Sequence, residues 1–172
     1  MKRFVIVALV TLSGCATSQE VWGGRTQTRE VQGVQAAAVR YFADNYDPAD
    51  YLGEPQALCL VLGRPEWSLD RDALQRSART DEMNPTPAFL SSLKNVRPRV
   101  VPIADCVWGE DLSEILKDSG ERAIALGVSH PRWVTPNLAR FTVSLRENPR
   151  KRFGFQCSAS REPEGWRVRQ CI

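Results

Sequence analysis

Two cysteines near the end of the chain, Cys157 and Cys171, constrain its fold most. The stretch that they enclose, CSASREPEGWRVRQC, carries Glu-Pro-Glu-Gly at residues 162–165. Proline suits the second position of a type I turn, and glycine suits the left-handed residue that follows it. A three-residue loop with a bulge sets Glu162 opposite Trp166, so counting outward places Cys157 opposite Cys171. Directly opposed strand residues have Cα atoms about 5.5 Å apart or less, within reach of a disulfide. We therefore predict a hairpin closed by Cys157–Cys171.

The start of the chain has the pattern of an export signal. Lys2 and Arg3 form a basic region, residues 4–12 form a short apolar stretch, and the small residues Ser13 and Gly14 follow. This order is typical of a signal peptide. The apolar stretch is much shorter than the roughly 20 residues that cross a bilayer.

The quartet Leu-Ser-Gly-Cys at residues 12–15 closely resembles the lipobox of bacterial lipoproteins. The resemblance implies that the thiol of Cys15 takes a diacylglycerol, that the chain is cut before Cys15, and that the new amine is acylated. Buried acyl carbons contribute about 0.8 kcal/mol per CH₂, so two or three chains hold a protein firmly on a bilayer. Ala16, rather than an aspartate, follows the cysteine, which implies the outer membrane facing the periplasm. An ordinary secretory signal with an incidental cysteine is the alternative.

These signals divide the chain into three parts. Residues 1–14 are the predicted lipoprotein signal peptide, residues 15–27 the lipidated N-terminus and tether, and residues 28–172 a single α+β domain. Within the tether, residues 18–24 read SQEVWGG, a composition that suits a short linker. A chain of about 150 residues can bury about 70% of its unfolded surface, enough for one core.

Four cysteines remain once Cys15 is set aside. An even number of cysteines in an exported chain indicates disulfides, and three pairings of four cysteines are possible. The hairpin pair leaves Cys59 to bond with Cys106. No CxxC motif is present and the chain has a single histidine, so we expect neither a metal site nor a cofactor.

Helical patterns dominate the first half of the sequence. Residues 28–44 carry apolar side chains at helical spacing. Residues 69–79 predict a short helix, and residues 86–95 predict another, with Thr86 as its N-cap and the following proline in its first turn.

Strand patterns dominate the second half. Residues 57–63 already predict a buried strand, and residues 99–106 an edge strand. Residues 114–129 predict a hairpin turning at 118–120, with a short helix over Asp111–Lys117 as the alternative. Residues 137–147 alternate between apolar and polar side chains, which places Ala139, Phe141, Val143 and Leu145 on one face of a strand.

The predicted class is therefore α+β, with N-terminal helices packed on a curved antiparallel β-sheet formed mainly by the C-terminal half. This order of elements is similar to cystatin-like and nuclear transport factor-like folds, in which a sheet wraps a long N-terminal helix.

Positive charge is concentrated in the predicted sheet. Residues 137–172 contain eight Lys and Arg against three acids. In the envelope the available polyanions are phospholipid headgroups and lipopolysaccharide phosphates, which arginine binds well. We expect contact with an anionic envelope component through Arg146, Arg150, Lys151 and Arg152, or contact with an envelope protein, and no contact with nucleic acid. Charges that protect a sheet edge from aggregation are the alternative.

Two acidic clusters are predicted to be solvated rather than to bind a cation, because neither has the spacing of a calcium loop. They are Asp44, Asp47 and Asp50, and Glu110, Asp111 and Glu114.

No Ser-His-Asp order, GxSxG motif or glycine-rich phosphate loop is present, so we assign no catalytic residue. We expect a membrane-anchored envelope lipoprotein, which acts as a non-enzymatic interaction or structural module. The alternative is a small-ligand-binding or enzymatic pocket in the concave face of the sheet, with His130 and Trp133 at its mouth.

Overall fold

The computed structural model describes residues 19–22, 25–47, 54–63, 84–109, 114–148 and 150–172. The predicted signal peptide, Cys15, Asp50, the predicted helix at 69–79 and most of the acidic cluster at 110–114 lie outside the described residues. No helix in the described part of the chain is long and apolar enough to cross a membrane.

A curled β-sheet accounts for most of the described residues. Its main path runs β11-β10-β9-β7-β3-β4, with β5 and β6 paired to each other, β6 also paired to β7, and β8 paired to β9. The elements in chain order are β1 (Gln19–Trp22), β2 (Arg25–Thr28), α1 (Arg29–Asn45), β3 (Ala57–Gly63), α2 (Pro87–Ser92), β4 (Arg99–Pro102), β5 (Cys106–Trp108), β6 (Glu114–Leu116), β7 (Arg122–Ser129), β8 (Arg132–Thr135), β9 (Leu138–Asn148), β10 (Lys151–Glu162) and β11 (Gly165–Cys171).

The α+β class is correct, but two details of the predicted architecture are not. Strand β3 runs parallel to both β4 and β7, so the sheet is mixed rather than antiparallel. The connection from β3 to β4 passes through α2, and a crossover of this kind makes its two strands parallel. A group of N-terminal helices is also absent from the described residues: α1 alone precedes β3, and the β1–β2 hairpin lies within the segment that we predicted as a tether.

Both described helices begin close to where their sequence patterns place them. Helix α1 covers Arg29–Asn45. In α2, the hydroxyl of Thr86 accepts a hydrogen bond from the backbone nitrogen of Phe89 at 3.1 Å, and a proline occupies the first turn. The predicted N-cap is therefore confirmed.

The main core lies between α1 and one face of the sheet. Val34, Ala38 and Phe42 of α1 are buried against it. The inward-facing side chains that we predicted for β9 all belong to this core: Ala139, Phe141, Val143 and Leu145.

A second core covers the opposite face of β3 and β7. Ile103, Cys106 and Leu116, from the segment that folds back over the sheet, pack there against Cys59 and Ala125. Strand β3 is thus buried on both faces, which explains its continuous apolar sequence.

The hairpin predicted over residues 114–129 is confirmed. Glu114 pairs with Ala123 in the antiparallel β6–β7 ladder, so residues 114–116 are not helical. Gly120 in the turn has a φ of +70°, a conformation that glycine adopts without steric cost.

The structure contains both predicted disulfides. Cys59 bonds to Cys106, and so fastens β5, which covers the second core, to β3. Cys157 bonds to Cys171 across β10 and β11.

The predicted register at the last turn is wrong by one residue. Glu162 pairs with Gly165 and Arg161 pairs with Trp166, so the loop has two residues rather than three. A register shift between Ser158 and Ala159 then restores the opposition of the two cysteines. The bulge exists as expected, but it lies inside the ladder instead of at the turn.

Candidate functional site

A cavity of about 1010 Å³ opens at the C-terminal end of α1. It lies on the face of the sheet that packs against α1, because Leu58 and Ile124 belong both to its lining and to the main core. Four chain segments contribute its lining, namely the last turn of α1, the start of β3, the connection from α2 to β4, and the start of β7. The lining residues are Phe42, Ala43, Tyr46, Asp47, Glu54, Pro55, Gln56, Leu58, Lys94, Arg97, Pro98, Arg99, Glu121 and Ile124.

The floor of the cavity is apolar and is held by the core. Phe42, Leu58 and Ile124 are each at least 95% buried. The ring of Phe42 packs on Phe155 of β10 with 5.0 Å between centroids. A ligand group on this floor would therefore meet rigid apolar surface.

Tyr46 connects the cavity to a buried charge pair. Its hydroxyl donates a hydrogen bond to Oε1 of Glu147, and Nη2 of Arg122 donates to Oε2 of the same carboxylate at 3.2 Å. The side chain of Glu147 is 1% exposed. The network joins the end of α1 to the ends of β7 and β9, and so fixes one wall of the cavity.

The Tyr46 hydroxyl is held in its protonated form. Burial, together with the hydrogen bond to Glu147 and the negative charge of that carboxylate, raises the pKa of Tyr46 far above its ordinary value. Because the hydroxyl proton is already given to Glu147, the Tyr46 oxygen can only accept a further hydrogen bond.

Charged side chains of both signs form the rim of the cavity. The acids are Asp47, Glu54 and Glu121, and the bases are Lys94, Arg97 and Arg99.

Two of the three basic side chains on this rim already have partners. Nη1 of Arg97 donates to the backbone oxygens of Lys94 and Val96, at 3.1 Å and 2.8 Å. Nη2 of Arg99 lies 4.0 Å from the carboxylate of Glu121. The ammonium of Lys94 makes no ion pair with the other described residues.

The two residues that we predicted at the mouth of a pocket do not line this cavity. His130 follows β7 and packs against Gly63, where an added Cβ would come within 2.9 Å of its Nε2. Trp133 lies in β8 and packs against Trp166, with ring centroids 5.4 Å apart. Both residues are at the other end of β7 and β9 from the cavity.

Arg146, which we predicted as a surface contact for an anionic component, is buried. Its side chain is 0% exposed, and its Nη2 donates to Glu114, whose side chain is 2% exposed. The guanidinium carbon lies 3.8 Å from the ring centroid of Trp108. The expectations of a surface Arg146 and a solvated Glu114 are therefore wrong, because β5 and β6 cover this face of the sheet.

Burial raises the pKa of the Glu114 carboxyl, although the charge of Arg146 and its hydrogen bond act in the opposite direction. The pair lies on the second core, on the opposite face of the sheet from the cavity. The pair connects β6 to β9, and the contact of Arg146 with Trp108 adds β5, so together these contacts hold β5 and β6 in place.

The other three basic residues of the predicted contact lie at the β9–β10 tip. Arg150 and Arg152 are exposed and Lys151 is partly buried. The side chain of Asn148 accepts hydrogen bonds from the backbone nitrogens of Arg150 and Lys151, at 2.9 Å and 3.0 Å, and so shapes the turn.

Sequence reasoning missed Tyr46, Glu147 and Arg122. A signal for Glu147 was present: it follows Ala139, Phe141, Val143 and Leu145 at the same period of two, and therefore lies on their inward face. An acid at such a position requires a buried partner.

The described residues contain no group of three or more His, Cys, Asp or Glu side chains that could hold a metal ion. Compared with known proteins, the chain matches no family model, no curated protein and no solved structure.

Proposed function

We propose that this protein is a lipid-anchored envelope lipoprotein whose folded domain binds a small ligand in the cavity at the C-terminal end of α1. The observation that carries the proposal is the cavity of about 1010 Å³ with an apolar floor and a charged rim. Ligand sites in proteins have volumes of about 300–1,000 Å³ and combine an apolar lining with a few polar groups.

The lining favours an amphipathic ligand. Phe42, Leu58 and Ile124 offer apolar contact, whereas the rim offers three acidic and three basic side chains. Because the signs balance, complementarity favours a ligand that is neutral or zwitterionic over a polyanion.

Binding fits the cavity better than catalysis does. A general acid or base works best with a pKa near the operating pH, and Tyr46 is far from that condition because its pKa is raised. The single histidine, His130, is remote from the lining.

The anchor is the second part of the proposal, and it is supported by the Leu-Ser-Gly-Cys quartet that ends at Cys15. We propose acylation of Cys15 and a location on the periplasmic side of the outer membrane. Mass spectrometry of the native N-terminus tests it directly. The expected mature chain begins at an acylated Cys15, and Cys15→Ala should leave the chain without acyl groups and uncut before position 15.

Ligand binding is tested by filling the cavity. Ala43 lines the cavity at the last turn of α1, so Ala43→Phe should reduce the affinity for an amphipathic fluorescent probe, anilinonaphthalene sulfonate, at least about tenfold. Ala88→Phe, at an exposed position of α2, is the matched control and should leave the affinity unchanged.

Equal probe binding by the parent and by both variants would contradict the proposed site. Native mass spectrometry of the purified protein then gives an independent measurement, because a bound molecule should be retained by the parent and by Ala88→Phe and lost from Ala43→Phe.

A further inference from the structure

We propose that the β8–β9 end of the domain, defined by Arg132, Trp133, Val134 and Arg140, is a docking surface for a bilayer that contains anionic phospholipid. This surface is separate from the cavity, and its use does not depend on whether the cavity binds a ligand.

Exposed apolar side chains mark this end of the molecule. All four residues of β8 are exposed, with Trp133 at 42% and Val134 at 48%. Trp133 is braced by its contact with Trp166, so little side-chain freedom is lost when it meets a partner. Tryptophan is enriched at the level of lipid headgroups because its ring is apolar and its N–H is polar.

Two arginines lie next to these apolar side chains in the β8–β9 ladder, on the face opposite to Trp133. Folding alone does not favour their arrangement. Arg132 is directly opposite Arg140 in the β8–β9 ladder, both are exposed, and neither makes an ion pair with the other described residues. Like charges in directly opposed positions destabilise a strand pair. An anionic phosphate bound between the two guanidinium groups would remove this repulsion.

The surrounding sequence strengthens the positive field. No Asp or Glu occurs between Glu121 and Glu147, so the hairpin carries no acid to offset Arg132 and Arg140. A lipid headgroup layer with negative charge therefore complements this surface.

The orientation of α1 places the docking surface at the end of the domain where the chain arrives from the proposed acylation site. Nε1 of Trp166 donates to Oε2 of Glu30 at 2.7 Å, which holds the first turn of α1 beside Trp133. The proposed acylation site, Cys15, precedes α1 in the sequence, so the chain enters the domain at this end.

The cavity lies at the opposite end of the same helix. With a rise of about 1.5 Å per residue, the 17 residues of α1 separate the two ends by roughly 25 Å. Docking through the β8–β9 end would leave the cavity open to the aqueous phase.

The test uses the predicted mature chain, residues 15–172, with Cys15→Ala, so that neither an acyl group nor the apolar stretch at residues 4–12 contributes to binding. Cosedimentation is measured with vesicles of phosphatidylcholine alone and with vesicles in which one quarter of the lipid is phosphatidylglycerol. We expect binding to the second composition only. Arg132→Glu combined with Arg140→Glu should lower the partition coefficient at least about tenfold, because each cation near an anionic surface contributes to the attraction.

The matched control is Arg150→Glu combined with Arg152→Glu, which makes the same change of charge at the other end of β9. This variant should bind within about twofold of the parent. Thermal unfolding followed by circular dichroism establishes that both variants are folded.

Three outcomes would overturn the proposal. The first is that the parent binds both vesicle compositions equally, or binds neither. The second is that the partition coefficient of the control falls as much as that of the variant at Arg132 and Arg140, or more. The third is that the partition coefficient of the variant at Arg132 and Arg140 does not fall. A second variant, Val134→Asp, tests the apolar part: it should also lower the partition coefficient, and unchanged binding would show that this end does not enter the headgroup layer.

Discussion

The hydroxyl of Tyr46 donates a hydrogen bond to the carboxylate of Glu147, a residue 101 positions later in the chain. This contact joins the last turn of α1 to the end of β9 and brings Arg122 of β7 into the same network. The wall of the cavity thus depends on one polar contact between a helix and two strands. The apolar floor beneath it depends on the main core.

Tyr46→Phe removes the donor and leaves the ring in place. We expect a loss of about 1–3 kcal/mol in the free energy of unfolding, because a buried carboxylate loses a hydrogen bond. Urea unfolding measures the change. Tyr41→Phe, on the same helix, is the matched control and should change stability by less than about 0.5 kcal/mol; equal losses would show that the Glu147 contact contributes nothing.

The same tyrosine predicts a pH dependence at the alkaline end. The pKa of Tyr46 in the folded protein is raised above the ordinary value of 10.0, so above pH 10 the unfolded chain releases a proton that the folded chain keeps. The stabilisation is therefore complete below pH 10 and is lost as the pH rises above it. Urea unfolding from pH 8 to 11 should show a steeper decline for the parent than for Tyr46→Phe. If the free energy of unfolding declined equally in the two proteins as the pH rises, the raised pKa of Tyr46 would be contradicted.

Local sequence patterns predicted the elements that they control directly. The Thr86 cap, the turn at Gly120 and the inward face of β9 each depend on residues close together in the chain, and the structure has all three. The opposition of Cys157 and Cys171 was also predicted, although the turn register was wrong by one residue, because the shift between Ser158 and Ala159 compensates for that difference.

Features that depend on contacts between distant segments of the chain could not be predicted from local sequence patterns. Arg146 is on the polar side of an alternating strand, so its sequence context indicated exposure. It is buried because β5 and β6 cover that face of the sheet. The alternation of side chains within β9 does not indicate that other strands lie there. A pocket was among the predicted alternatives, but its position was missed for the same reason, since its lining comes from four separate segments.

The buried pair of Arg146 and Glu114 gives a third prediction. Arg146→Met should destabilise the protein by roughly 3–5 kcal/mol, because it leaves a buried carboxylate without its partner. Replacing both residues, with Arg146→Met and Glu114→Met, should recover at least half of that loss. Chemical unfolding of both single variants and the double variant completes a double-mutant cycle.

Arg152→Ala is the control for this cycle, because Arg152 is an exposed arginine on the neighbouring strand. It should change stability by less than about 0.5 kcal/mol. Strictly additive losses at positions 114 and 146 would mean that the pair makes no net interaction.

The two disulfides should differ in their contributions because they close loops of different length. Cys59 and Cys106 are 47 positions apart, whereas Cys157 and Cys171 are 14 apart. The chain-entropy relation gives about 4 kcal/mol for the first and about 3 kcal/mol for the second. Replacing both cysteines of a pair with alanine avoids a free thiol and should lower the melting temperature by several degrees in each case.

The larger effect is expected for Cys59→Ala with Cys106→Ala, for a structural reason as well. This disulfide fastens the segment that covers Arg146 and Glu114, so its loss should increase hydrogen exchange at β5 and β6. Loss of the Cys157–Cys171 bond should increase exchange at β11 instead, because that bond joins only β10 and β11. If the first double variant left exchange at β5 and β6 unchanged, the apolar contacts and the Arg146–Glu114 pair would be enough to hold these strands. The burial of Arg146 would then not depend on the disulfide.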